Sequence, residues 1–308
     1  METTLANMIE EIMELKKSKD FAILAHNYQP PELQDIADYV GDSLQLATLA
    51  TQLEKSRILF LGVDFMAETI KLLNPDKTVI VPDPEATCPL ANSLTPEIVE
   101  RYRNEFPGVP IVLYINSTLE CKAFADVICT SANAVEIVAR LDGQRVIFGP
   151  DKNLASYVAE KTGKAIIPIP GETGYCYVHE KFKVSSLLDA RRSYPEARIM
   201  VHPEVPKELR RLADYVGSTG QMLRYPAATD AREFVVGTEI GMLHRLRKTF
   251  PDRIFYPLDH AICFNMKLNT LEKVYRSLNE EVYEITIDEE IARKAFKSVR
   301  KMFELMEK

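Results

Sequence analysis

No apolar run in the chain approaches the roughly 20 residues that a bilayer-spanning helix needs, which excludes a helical membrane protein. A basic stripe with interleaved aromatics is also missing. The net charge is −7 and the lysines and arginines are scattered among acids, so nucleic acid is a poor partner. The opening METTLANMIEEIMELKKSKD has neither the basic leader nor the apolar stretch of a secretory signal. It reads as an acidic amphipathic helix, and a cytoplasmic location is expected. Cysteine is scarce and odd in number, at Cys88, Cys121, Cys129, Cys176 and Cys263, which argues against a disulfide framework. None of these lies in the paired C-x-x-C knuckle of structural zinc. Ser/Gly linker tracts are absent too, so any domains are fixed against one another more than tethered.

What remains is an ordinary globular composition, 46% hydrophobic and 27% charged over 308 residues, enough for two or three compact units. Short β-rich runs, FAILAHNY, RILFLGV, TVIVP, IVLYINS, RVIFGP, AIIPIP, RIMVHP, EFVVGTE and IFYPL, alternate with helical patterns such as SLQLATLATQL and SANAVEIVARL. That alternation predicts parallel-sheet α/β architecture, with strands covered on both faces.

The alternation itself repeats. Ala-Asp pairs fall at Asp38, Asp126 and Asp214, successively 88 residues apart, and five residues after each stands a hydroxyl, Ser43, Ser131 and Thr219. Strand ends carry His26, Tyr114 and His202 at the same spacing, and glycines close other strands at Gly62, Gly149 and Gly237, followed by Asp64, Asp151 and Glu239. Cys88, Cys176 and Cys263 obey the period; Cys121 and Cys129 do not. The periodic three are counted six residues beyond the strand-closing Pro82, Pro170 and Pro257, on loops that line a cavity or the surface. The other two read as small buried hydrophobes.

The fold expected is therefore three homologous αβα parallel-sheet domains related by pseudo-threefold symmetry around a central active site. Borders fall at 1–84, 85–171 and 172–257, with the tail 258–308, which holds a helix (NTLEKVYRSLN), a strand (EVYEITI) and a last helix, returning to complete the first domain. Ligands bind such sheets at their carboxyl ends. His26, Tyr28, Tyr114, Asn116, His202 and Glu204 are strand-end residues, while Ser43, Ser131 and Thr219 start helices, where a hydroxyl caps the first turn. The periodic Asp38, Asp126 and Asp214 read as structural turn or cap residues. Three thiolates without a fourth in register leave one coordination position open to substrate. Soft thiolates favour zinc or an iron–sulfur cluster, and a cubane with three cysteine ligands exposes one iron as a Lewis acid. A three-cysteine zinc hydrolase or lyase and a non-catalytic metabolite-binding module remain as alternatives.

The segments AHNYQPPELQDIADYVGDS, GVDFMAETIK, NPDKTVIVPDPEATCPLAN, YINSTLECKAFADVICTSANAVEIV, FGPDKNLA, YCYVHEKF, VHPEVPKELRRLADYVGSTGQM and GTEIGMLHRL together resemble the quinolinate synthase family along nearly the whole chain. The resemblance implies an enzyme that condenses iminoaspartate with dihydroxyacetone phosphate, losing phosphate and two waters, to give quinolinate for NAD biosynthesis. It implies a 4Fe–4S cluster on Cys88, Cys176 and Cys263, and an L-aspartate oxidase or dehydrogenase as the source of iminoaspartate. Carried over residue by residue, His26, Ser43, Tyr114, Asn116, Ser131, His179, His202, Glu204 and Thr219 bind substrate. Tyr28, Glu204, His202 and His26 are the catalytic candidates. Two positions differ from the family pattern: Tyr175 stands where His often precedes the second cysteine, and Val205 where Cys often follows His-Pro-Glu.

Overall fold

The computed structural model describes residues 5–307. Three successive stretches share one order of elements. The first runs α1 (Leu5–Ser18), β1 (Phe21–His26), α2 (Pro31–Ile36), β2 (Tyr39–Gly41), α3 (Ser43–Gln52), β3 (Arg57–Leu61), α4 (Asp64–Leu73) and β4 (Thr78–Ile80). The second runs α5 (Pro96–Glu105), β5 (Ile111–Tyr114), α6 (Leu119–Lys122), β6 (Val127–Cys129), α7 (Ala134–Arg140), β7 (Arg145–Gly149), α8 (Lys152–Thr162) and β8 (Ala165–Pro168). The third runs α9 (Val184–Ser193), β9 (Arg198–Val201), α10 (Lys207–Leu212), β10 (Tyr215–Val216), α11 (Thr219–Arg224), β11 (Glu233–Gly237), α12 (Met242–Thr249) and β12 (Ile254–Pro257). Helices α13 (Leu271–Glu280) and α14 (Glu289–Met306) follow.

Each stretch makes one four-stranded parallel sheet, in the orders β2-β1-β3-β4, β6-β5-β7-β8 and β10-β9-β11-β12. The chain is thus α/β with three parallel sheets, as its alternation predicts. Central strands are apolar and buried along their length, β1 and β5 at every residue, because helices cover both faces. In every sheet the first and third strands lie side by side and the connections leave in opposite directions, which opens a crevice at their carboxyl ends.

The short second strands were not legible as separate runs: β2, β6 and β10 span three, three and two residues. The periodic aspartates explain how such brief edges are held. The backbone N–H groups of Ile23, Ile111 and Ile199 donate to Asp38, Asp126 and Asp214 Oδ2 at 2.8, 2.8 and 2.7 Å. The aspartate N–H groups return the bond to the same isoleucine carbonyls. Lys16, Arg103 and Arg191 pair with these carboxylates from the helix preceding each first strand.

The chain divides into two compact units, one holding the sequence through Cys88 together with Cys263–Asp288, the other Pro89–Ile262 with the stretch from Glu289 on. In the first, Phe21, Ile23, Leu59, Leu61 and Ile80 of the sheet pack with Ile12 of α1, Leu33 and Ile36 of α2, and Leu271, Val274 and Leu278 of α13. In the second, α14 lies on β6, α6 and α7. The tail expected to complete the first domain is therefore shared: its last helix serves the second sheet, since the stripe Ala295, Ser298, Val299, Met302 and Leu305 is buried there. EVYEITI is not a strand of a sheet; it contributes one antiparallel bridge, Glu284 to Ile80. Acids at Glu281 and Glu284 make it a poor central strand. No helix among the described residues is long and apolar enough to cross a membrane.

Candidate active site and cysteine loops

In the second unit, strand ends gather six of the expected residues. β9 ends one residue before His202, and the turn that follows carries Glu204; both side chains are buried. His179 Nδ1 lies 2.7 Å from Glu204 Oε2, and His179 Nε2 lies 2.8 Å from the hydroxyl of Thr238, just after β11. The His179 and His202 rings stack with centroids 4.6 Å apart. His202 Nε2 is 3.2 Å from Ser131 Oγ, while its Nδ1 lies 3.4 Å from the Glu204 backbone nitrogen and 3.5 Å from Glu204 Oε2. Tyr114, buried at the end of β5, hydrogen-bonds to the Glu204 carboxylate. Cys176, His179 and Glu204 each offer a ligand atom within 4.8 Å of the others.

Burial opposes a charge on Glu204, but the flanking His202 and His179, with hydrogen bonds from His179 and Tyr114, more than offset it and bring the carboxyl down to about 2. Asp151 goes the other way: its own burial and then the Glu204 charge push it well above the usual carboxylate range. The two buried carboxyls are thus driven in opposite directions by their surroundings.

Asn116, two residues after Tyr114, is half-buried, and Thr219 is buried at the first turn of α11. In the first unit, His26 closes β1 and Tyr28 follows it; their rings meet edge to face at 4.6 Å, and His26 Nδ1 accepts the Tyr28 N–H at 3.2 Å. Ser43 opens α3 half-buried. The hydroxyls at 43 and 219 are not the caps expected of them. Asp42 and Ser218, one residue earlier, cap α3 and α11, in boxes closed by Gln45 and Gln221. At the corresponding place in the second sheet, the Thr130 N–H donates to Asn133 Oδ1 at 2.6 Å. In α3 and α11 the cap is thus the residue before the periodic hydroxyl, while α7 begins only at Ala134, three residues after Ser131.

The three periodic cysteines share one local setting. A backbone N–H at the start of the helix after each third strand, from Asp64, Lys152 or Ile240, donates to the carbonyl two residues before each cysteine, at Ala86, Gly174 or Ala261. These bonds measure 2.9, 2.7 and 2.9 Å. Each cysteine loop is thereby fastened to the carboxyl edge of its own sheet. β4 and β8 end at Ile80 and Pro168, two residues earlier than the prolines counted from sequence, so those two loops are longer than expected.

Around Cys176 the fastening is denser. The Cys176 N–H donates to Asp151 Oδ2 at 3.0 Å, Asn153 Nδ2 donates to Glu180, and Lys152 pairs with Glu180 and lies 4.9 Å from the Tyr175 ring centre. Gly174 is required here, since a Cβ would stand 2.0 Å from the Pro150 carbonyl oxygen. Around Cys263, Lys267 Nζ donates to the Tyr28 carbonyl, Gln29 Nε2 lies 3.4 Å from Met266 Sδ, and Asn269 Nδ2 donates to the Gly62 carbonyl at 2.9 Å.

Cys88, Cys176 and Cys263 are half-buried, whereas Cys121 and Cys129 are fully enclosed in the second unit. Burial pushes the Cys121 thiol up to about 11 and raises that of Cys129 well above the ordinary thiol range. Soft donors on accessible loops suit a thiolate-ligated metal group; inert thiols inside a core do not. Sequence reading missed Thr238 as a partner of His179 and noted Asp151 only as a repeat position. Both stand at strand ends on the period, which is the signal that could have found them.

Parallel sheets that bring imidazole, carboxylate, phenol and thiol groups to their carboxyl ends define an α/β enzyme acting on small molecules. A family model described as "Quinolinate synthetase A protein" matches residues 10–304. The chain is 62% identical over 299 residues to quinolinate synthase of Thermotoga petrophila, covering 97% of this chain and 100% of that one. It is 51% identical over 300 residues to the quinolinate synthase of Pyrococcus horikoshii, covering 97% and 99%. The chain belongs to the quinolinate synthase family.

Proposed function

We propose that this enzyme condenses iminoaspartate with dihydroxyacetone phosphate to form quinolinate, phosphate and water for NAD biosynthesis, with a 4Fe–4S cluster held by Cys88, Cys176 and Cys263. When bound, such a cluster supplies a Lewis acid that polarises a C–O bond towards loss of water, with no net redox change. The chain's own residues do the rest. Glu204, kept in place by His179, is the candidate for proton transfer from the third sheet. His202 places its Nε2 next to the Ser131 hydroxyl. Tyr28 and His26 supply a phenol and an imidazole from the first sheet. Both substrates are anions, yet these strand ends carry almost no Lys or Arg; hydroxyls of Ser43, Ser131 and Thr219, with Asn116 and backbone N–H groups, bind the oxygens instead. The enzyme is read as cytosolic, and its iminoaspartate as the product of an L-aspartate oxidase or dehydrogenase.

The support that carries this reading is the shared hydrogen bond ahead of each periodic cysteine, which gives three distant thiols one local geometry. The test is anaerobic reconstitution followed by a quinolinate assay: about four iron and four sulfide per chain with turnover is the expected outcome. A second reading has its own observation, the Cys176, His179 and Glu204 group, which could hold a single zinc ion. Colourless, zinc-loaded protein whose metal survives Cys88→Ser and Cys263→Ser would establish it.

A further inference from the structure

The short helix after each first strand buries a polar side chain that sequence comparison between repeats does not reveal. Gln34, Lys122 and Arg210 stand 88 residues apart in α2, α6 and α10 and are 3%, 0% and 5% exposed. Amide, ammonium and guanidinium have no common chemistry except hydrogen-bond donation. All three donate to one carbonyl at matching positions: Gln34 to Gln29 O at 2.8 Å, Lys122 to Ser117 O at 2.8 Å, and Arg210 to Val205 O at 2.7 Å. Gln34 and Arg210 also reach a second matching carbonyl, Asn27 O at 3.2 Å and Pro203 O at 3.3 Å.

These acceptors belong to the turns that carry the site residues. The turn closes on the strand end each time: Gln29 N–H to His26 O, Val205 N–H to His202 O and, in the second sheet, the Ser117 hydroxyl to Tyr114 O. Between closure and strand lie Tyr28, Asn116 and Glu204. A buried carbonyl without a donor is costly, so the turn settles where the donor is. Arg210 extends the hold, since it also donates to Asn153 O and Ser156 Oγ of α8, the helix whose start fastens the Cys176 loop.

We infer that Gln34, Lys122 and Arg210 are positioning residues, each setting the turn that presents its own sheet's share of the active site: His26 and Tyr28, Tyr114 and Asn116, or His202 and Glu204. The inference rests on the proposed reaction only for its kinetic consequence. Gln34→Met, Lys122→Met and Arg210→Met keep length and remove the donor. Hydrogen–deuterium exchange should quicken in residues 26–29, 114–117 or 202–205 respectively and not in the other two turns. Displacement of reacting groups by about an ångström lowers kcat by about 100-fold, with iron content near wild type. Lys122→Gln, which installs the first repeat's residue, and Arg210→Lys restore both slow exchange and most of kcat. These donor-keeping variants decide the matter if a Met variant does not fold. Exchange that stays unchanged in the matching turn, or rises evenly along the chain, overturns the inference, as does a donor-keeping variant no better than Met. If the wild-type enzyme makes no quinolinate, the proposed reaction fails, and exchange alone judges the positioning role.

Discussion

At the scale of single residues, environment separates five chemically identical thiols. Cys121 and Cys129 are closed in the core, and burial holds the Cys121 thiol protonated until about pH 11. Thiolate is the form that alkylates and binds metal. In metal-free protein at pH 8, Cys88, Cys176 and Cys263 should react with iodoacetamide well before Cys121 and Cys129, followed by mass spectrometry of the labelled peptides. Cys→Ser at 88, 176 or 263 should abolish stoichiometric iron after reconstitution, and Cys121→Ser or Cys129→Ser should leave it intact. Iron that survives Cys88→Ser or Cys263→Ser contradicts the three-cysteine cluster. The period alone made this division legible, because it needs no knowledge of contacts. The density of bonds around Cys176 was not legible, because Asp151, Lys152 and Asn153 act through a loop more than 20 residues away.

At the scale of elements, regular positions do different work from what their residue types suggest. Asp38, Asp126 and Asp214 fix the edge of each sheet by pairing with a central strand. Asp126→Ala leaves the Ile111 N–H buried without an acceptor and should cost about 1–3 kcal/mol in urea unfolding, with KM unchanged. The caps give a paired contrast. Ser218→Ala removes a helix cap and should lower stability by about 1 kcal/mol, whereas Thr219→Ala should raise KM for dihydroxyacetone phosphate. If Thr219→Ala lowers stability and spares KM, the hydroxyl has the structural role. Sequence placed these hydroxyls one residue off because hydroxyl and carboxylate caps share a pattern, and Ser218 and Thr219 are adjacent candidates. Gln34, Lys122 and Arg210 escaped for the opposite reason: their function is conserved between repeats through geometry while their chemistry differs, so no letter recurs.

At the scale of the whole molecule, the three sheets were legible from alternation and period, but the allotment of the tail was not. Both tail helices are amphipathic, and an apolar stripe states that a helix packs without stating on what. Only the contacts separate them: α13 lies with α1 and the first sheet through Leu271, Val274 and Leu278, while α14 lies on the second through Val299, Met302 and Leu305. Ser298 Oγ adds a bond to the Lys122 carbonyl at 2.8 Å, joining α14 to the helix whose lysine braces the Tyr114 turn. Met302→Ala should therefore cost about 2–5 kcal/mol and quicken hydrogen exchange in β5 and β6. Leu278→Ala, of similar cost, should quicken it in β1 and β3 instead. Each loss follows the sheet that the helix covers, because the removed side chain leaves its cavity there and nowhere else. Equal loosening of β1 and β5 by either change would show that the last helix stabilises both units alike, and the division of the tail described above would have to be abandoned.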